Sequence, residues 1–308
     1  MRAKILMLVE RERFREDLRA SQQTLTAVAV AFGQSLIMKE EIFGDGDTQD
    51  ALEGVRQSDA VLALGSTESL EHMALAMGCY AGEILFDHPK DLNRLSRLKS
   101  GKQNRLTLLW PLASTASQLA RAASAACTKV KEGSGRLFIV PPEGETTSWN
   151  NAASKAAMFA ALQAPEAMTM DEAISRILSS GEEKQVFLCS ADAAKVIRRL
   201  SVFLGGVEEL VYTTYHSETR QLYTVSPVNR GSGAGLFAVL YATSIMLDQG
   251  LRLRQEGDCL KTAIDNVLAS GWRTAEMELG EKTVSADEIL RLISEQIALA
   301  GELFERLR

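Results

Sequence analysis

QLYTVSPVNRGSGAGLFAVLYATSIML, residues 221–247, is the stretch on which the reading of this chain turns. QLYTVS is strand-like, NRGSGAG (Asn229 to Gly235) is a glycine-rich turn, and the remainder enters a helix. Such an order can aim backbone N–H groups at a phosphate held before a helix N-terminus. A glycine-rich turn alone is a weak sign of a nucleotide. Asn229, Arg230, Gly231, Ser232 and Gly233 therefore stand as cofactor-loop candidates beside a plainer reading, a structural strand-to-helix turn.

Outward from this stretch, short runs rich in Val, Ile and Leu alternate with longer amphipathic segments. AKILMLV (Ala3 to Val9), DAVLAL (Asp59 to Leu64), RLTLLW (Arg105 to Trp110), RLFIV (Arg136 to Val140) and KQVFLC (Lys184 to Cys189) read as strands. Between them FREDLRASQQTLTAVAVAFG (Phe14 to Gly33) and MDEAISRILSS (Met170 to Ser180) have helical spacing. Pro89, Pro111, Pro141, Pro142, Pro165 and Pro227 fall near the junctions. The alternation predicts an α/β sandwich around a mixed or parallel sheet.

With 308 residues, 46% of them hydrophobic, the chain can bury a large core in one large or two moderate domains. A net charge of -6 and a pI near 5.4 give no basic field for nucleic acid. No apolar run reaches membrane-spanning length and the N-terminus is no signal peptide, so a cytoplasmic protein is expected, with neither nucleic acid nor membrane as partner. Cys79, Cys127, Cys189 and Cys259 are widely spaced, without the pairing of a zinc knuckle or a disulfide framework.

From Ser226 to the C-terminus the sequence resembles isopropylmalate dehydrogenase and its isocitrate-using relatives, the β-decarboxylating dehydrogenases. SPVNRGSGAGLFAVLYATSIML, AIDNVLASGWRTAEM (Ala263 to Met277) and KTVSADEILRLI (Lys282 to Ile293) stand where that family has a Pro-Val-His-Gly-Ser loop, an Ala/Met-rich helix, a Gly-Tyr-Arg-Thr-Ala element and a final helix opened by Ser or Thr. ALEGVRQSDAVLALG (Ala51 to Gly65) and YAGEILFDHPKDLNRLSRLK (Tyr80 to Lys99) resemble two earlier family segments in the same order. The resemblance implies an isopropylmalate dehydrogenase-like two-domain α/β sandwich with a mixed sheet and flanking helices. Residues 1–103 and 224–308 would form a discontinuous first domain, on the cofactor side in the family, and 104–223 a second, dimerisation domain. It also implies a homodimer, through a helix near Ala191 to Leu204 whose Ile197, Leu200 and Leu204 form one stripe, suited to a packed core or a subunit interface.

The family's reaction oxidises a 2-hydroxy acid with NAD or NADP and releases carbon dioxide. It needs arginines to clamp carboxylates, a Lys/Tyr pair for protons and aspartates around Mg²⁺ or Mn²⁺. The resemblance places Ala74, the region of Glu83 and Trp110 at the arginine positions, and Pro142 at the lysine. WPLASTASQLARAAS (Trp110 to Ser124) runs directly into a helix, without the arm that carries the tyrosine. Asp171 matches one metal-ligand position, although a first-turn aspartate favoured by the helix dipole is the better reading of it. The other two fall on Ala191 and Lys195, or on Asp192 in a shifted register.

No residue is assigned a catalytic role, and no cofactor is expected; NAD or NADP and Mg or Mn enter only if the family's reaction is retained. The expectation is a pseudoenzyme that keeps the fold and binds a metabolite, such as a small carboxylate, or regulates another subunit. The alternatives are an active oxidoreductase reusing Trp110, His88, His216, Arg230 and Glu143, and a regulatory or stabilising partner of an active paralogue. His72, His88 and His216 read as isolated, HSETR (His216 to Arg220) as an exposed loop, and GDGDTQD (Gly44 to Asp50) as a solvated turn.

Overall fold

The computed structural model describes residues 1–10, 14–44, 48–86, 105–133, 135–179, 184–205, 210–225, 235–275, 277 and 282–306. Two compact units emerge, each assembled from separate stretches of chain. The first comprises Met1–Met77, Tyr212–Thr214 and Glu218–Arg308, and the second Gly78–Val211 and Tyr215–Ser217. The division falls after Met77, whereas the family resemblance suggested 103/104. Its physical reason is the pairing of residues 81–86 with residues 106–111, which ties that earlier strand to the second unit.

In the first unit the elements are β1 (Arg2–Val9), α1 (Arg15–Phe32), β2 (Ser35–Ile42), α2 (Thr48–Gln57), β3 (Ala60–Leu64) and α3 (Thr67–Ala76). After the second unit's elements its chain resumes. The second unit contains β4 (Ala81–Phe86), β5 (Leu106–Pro111), α4 (Ala116–Gly133), β6 (Arg136–Val140), α5 (Thr146–Phe159), β7 (Glu166–Ala167), α6 (Met170–Ser179), β8 (Gln185–Cys189) and α7 (Ala191–Gly205). Strand β9 (Thr213–His216) contributes its first two residues to the first unit and its last two to the second. The first unit closes with β10 (Leu222–Val225), α8 (Leu236–Ile245), a π-helical turn (Met246–Gly250), α9 (Arg254–Ala269), the short strands β11 (Trp272–Arg273) and β12 (Lys282–Thr283), and α10 (Ala286–Arg306).

The first unit's strands run in the order β2-β1-β3-β10, all parallel. Central β1 and β3 are covered on both faces, which is why ILMLV and AVLAL are apolar without alternation. Edge strand β2 alternates instead. Helix α1 ends at Gly33, whose φ of +65° suits a residue without Cβ. Helix α8 is buried from Leu236 to Ser244, a helix apolar on every side at the centre of the unit. Helix α10 opens at Ser285, which accepts from the Glu288 N–H at 3.3 Å, as the resemblance implied.

In the second unit the order is β4-β5-β8-β6-β7, with β4 antiparallel to β5 and the others parallel. The arrangement is a mixed sheet with flanking helices. Ala122, Ala123 and Ala126 of α4 and Ala153 and Ala157 of α5 let both helices lie close to Leu109, Ile139, Val186 and Leu188. The strands read from the sequence recur as β1, β3, β5, β6, β8 and β10; β2, β4 and β9, whose apolar runs polar residues break, and the two-residue β7, β11 and β12 were not read as strands.

Candidate functional site

Ligands of open α/β sheets sit beyond the carboxyl ends of the strands, so those ends are the first place to look in each unit. In the second unit β5, β6 and β8 end at a hollow of about 520 Å³. Ser114, Pro141, Pro142, Glu143, Ser190 and Asp192 are among the residues around it.

The helices that begin here supply oxygen to their own first turns. The Ser190 hydroxyl accepts from the Ala193 N–H at 3.2 Å at the start of α7. Glu145, at the start of α5, accepts from the Trp149 indole N–H at 3.1 Å. Thr169 and Glu172 form a reciprocal capping box on α6: the Thr169 N–H donates to the Glu172 carboxylate at 2.7 Å, and the Glu172 N–H donates to the Thr169 hydroxyl at 3.3 Å. These bonds from Thr169 hold the Glu172 carboxyl below its ordinary value. The mouth therefore carries Glu143, Glu145 and Asp192, and among the described residues no arginine or lysine lines it.

In the first unit the corresponding end of β1 is closed by the chain itself. Glu10 accepts from the Ser66 N–H at 2.6 Å and from the Ser69 hydroxyl at 2.6 Å, so its carboxylate occupies the N-terminus of α3. A second anion at that helix end would meet this fixed negative charge. The cofactor-loop candidates Asn229, Arg230, Gly231, Ser232 and Gly233 lie outside the described residues, as does His88.

The sequence missed a buried charge cluster in the second unit. Ala81 of β4 packs into the core beneath α4, and the two-residue period of a strand puts Glu83 on the same side. There its Oε2 meets His216 Nε2 at 2.6 Å and its Oε1 meets Lys129 Nζ of α4 at 3.0 Å. Burial opposes charge on Glu83, but the His216 bond and the Lys129 ammonium outweigh it and hold the carboxyl below its ordinary value. Burial likewise works against the Lys129 charge, and Glu83 overcomes it, so that ammonium is held more firmly than usual. His216 is thus neither isolated nor on an exposed loop: it is 6% exposed, and its carbonyl accepts from the Tyr80 N–H at 2.8 Å. Only a contact between residues 133 positions apart in sequence reveals the pair, so no local spacing announces it.

The other candidates separate. Trp110 is buried with its ring edge-on to Tyr215 at 6.3 Å, Ala74 is buried in α3, and Pro142 and Glu143 stand at the mouth. Asp171 is exposed in the first turn of α6. Asp192, almost fully exposed, lies 3.7 Å from Lys195, the lysine that the resemblance put at one of the family's metal-ligand positions. Among the described residues no three His, Cys, Asp or Glu side chains gather to hold a metal ion. This donor set does not fit the family's divalent cation. Thiol chemistry is equally unsupported, because burial pushes Cys79 up to about 12 and Cys259 up to about 11.

The folded architecture has close counterparts among known structures. An isocitrate dehydrogenase from Methylococcus capsulatus superposes with a TM-score of 0.80, at 10% identity, over 97% of this chain and 100% of that one. A β-decarboxylating dehydrogenase from Thermococcus kodakarensis, in its apo form, gives 0.72 at 14% identity over 96% of both chains. The fold is that of the β-decarboxylating dehydrogenases. In sequence, a 3-isopropylmalate dehydrogenase from Haemophilus influenzae is 28% identical over 138 residues, 43% of this chain and 38% of the relative. The chain thus matches well under half of that curated relative's length. No family profile matches the chain. Among the described residues no helix is long and apolar enough to cross a membrane.

Proposed function

We propose that this chain keeps the dehydrogenase fold without its metal- and nicotinamide-dependent oxidative decarboxylation, and acts by binding. The observation that carries this reading is the mouth at the ends of β5, β6 and β8. Arginine clamps and a proton-relay lysine would be needed there. Pro142, Ser190 and the carboxylates of Glu143, Glu145 and Asp192 line it instead. Among the described residues the lining holds three carboxylates and no cation, with Lys195 beside Asp192 alone at 3.7 Å, and this balance disfavours the di- and tricarboxylates of such reactions. Four residues, 112–115, link β5 to α4, too few for an arm carrying a tyrosine.

The test measures binding and turnover together. Purified full-length chain is titrated calorimetrically with NAD, NADP, Mg²⁺, Mn²⁺, isopropylmalate, isocitrate, malate and tartrate, and the same mixtures are assayed for reduced cofactor. No turnover is expected from any combination. Cofactor binding without turnover would make the chain a sensor; saturable reduction of cofactor would overturn the reading.

A second reading draws on the His216–Glu83 pair, a hydrogen-bonded imidazole and carboxylate that an altered oxidoreductase could use as acid and base. Burial of both groups, at 6% and 7% exposure, favours a structural role instead. His216→Gln should therefore alter stability and leave any ligand binding intact.

We also propose a homodimer formed through α7. Ile197 and Leu204 are buried within the chain and Leu200 is half-buried, so the stripe read from the sequence is core. The apolar groups that α7 exposes are Val196 and Phe203, two turns apart on one face. Phe203→Glu should convert a dimer to a monomer in sedimentation. A reducing compartment such as the cytoplasm suits the free cysteines, three of them buried.

A further inference from the structure

Away from the mouth, the second unit has a hollow of about 430 Å³ between α4 and α5. Its floor is apolar: Ala152, Ala156 and Ala160, each half-buried, stand around Cys127, which is itself 1% exposed, with Ala120 exposed at the edge. Two hydroxyls, Ser124 and Thr128, and two ammonium groups, Lys131 and Lys155, stand around it. Among the described residues no acidic side chain lines it, in a chain whose net charge is -6. Neither Lys131 nor Lys155 forms an ion pair among the described residues, and the neighbouring Glu132 turns instead to Lys129, at 3.7 Å. The Lys131 charge reaches the floor, where it opposes the upward push of burial on the Cys127 thiol. At the rim, Phe159 is 77% exposed, a costly placement for an aromatic ring with no cover.

An apolar floor, a few hydroxyls and unpaired cations at the edge make up the usual chemistry of a small-ligand site, and the volume falls within the usual range. The two ammonium groups select for negative charge, and the alanine floor with Phe159 selects for an apolar body. We propose that the α4–α5 groove binds a small organic anion: an aryl or alkyl group carrying a carboxylate or sulfonate. The ring of Phe159 lies over the apolar body, Lys131 and Lys155 hold the anionic head, and Ser124 and Thr128 offer it hydroxyls. This site is separate from the mouth of β5, β6 and β8, and it stands whether or not the chain has lost the dehydrogenase reaction.

The probe is 8-anilinonaphthalene-1-sulfonate, titrated by fluorescence into full-length chain, with octanoate as competitor. The variants are Lys131→Ala/Lys155→Ala, Ser124→Phe, which fills the hollow from an exposed position, and Lys195→Ala as a charge control on α7. Circular dichroism confirms that each is folded. Saturable binding at one site, displaced by octanoate, is expected. It should weaken by about tenfold or more in the double lysine variant, be lost in Ser124→Phe and be unchanged in Lys195→Ala. Equal binding by all variants, or no saturation below about 1 mM, would overturn the proposal. So would selective capture of an acidic helical peptide with no affinity for the probe. If Ser124→Phe fails to fold, the double lysine variant alone decides.

Discussion

Glu83 is held charged in the core by two partners, and that makes it the residue whose loss should be felt most. Glu83→Gln would leave the largely buried Lys129 ammonium with only the more distant Glu132 carboxylate, at 3.7 Å, as counter-ion, which costs about 3 kcal/mol, the low end for a broken buried pair, read from urea unfolding. A loss under ~1 kcal/mol would show that the cluster carries little net energy. The pH dependence has a definite sign. Glu83 titrates below its ordinary 4.5 in the folded chain, so the folded state binds fewer protons than the unfolded state near that pH. Its contribution is complete above about pH 4.5 and is lost as pH falls through the lower folded value. Lys129 titrates above its ordinary 10.5; its contribution is complete below that value and is lost as pH rises through the higher one. Unfolding midpoints of wild type and Glu83→Gln should therefore converge in strong acid and stay apart near neutrality. Beside this cluster, a Cβ on Gly82 would lie 2.3 Å from the Trp110 ring. The ring is 6% exposed and has little room to move. Gly82→Ala should cost about 1–3 kcal/mol by overpacking, and a neutral effect would mean the indole can shift.

Helix ends and helix crossings set the next scale. Helix α3 depends on Ser66, whose hydroxyl accepts from the Ser69 N–H at 3.3 Å and bonds Glu10 at 3.0 Å. Ser66→Ala should destabilise by about 0.5–2 kcal/mol. Helices α1 and α10 cross where a Cβ on Gly301 would come within 2.8 Å of Ala31. Gly301→Ala should therefore lower the thermal midpoint although alanine is the better helix former, because backbone on the facing helix cannot yield as a side-chain tip would. The same contrast explains what the sequence made legible. Helices α1 and α6 and strands β1, β3, β5, β6 and β8 could be read because apolar spacing within one segment reports burial. Strand β4 could not: Gly82 and Glu83 interrupt its pattern, and the reasons for both, the Trp110 ring and the Lys129–His216 pair, come from distant segments. The candidate site divides in the same way. Pro142, Lys195 and the short β5–α4 link were visible through a resemblance to known segments. Glu10 at the start of α3 and the two lysines over the α4–α5 groove were not, because they depend on which side chains three-dimensional packing leaves together.

At the scale of the molecule, two units carry a fold shared with isocitrate and β-decarboxylating dehydrogenases at 10–14% identity. Parallel strands, a buried α8 and small-residue helix faces can be conserved in shape by many sequences, since packing asks for volume and pattern. A reaction asks for particular groups at particular atoms. The mouth offers Pro142, Ser190 and acidic side chains, and on these the proposed loss of the reaction rests. The most direct test is the absorbance assay for reduced NAD or NADP with Mg²⁺ or Mn²⁺ and isopropylmalate, isocitrate, malate or tartrate. The account predicts a rate indistinguishable from that without protein. A saturable rate proportional to the amount of chain would contradict it.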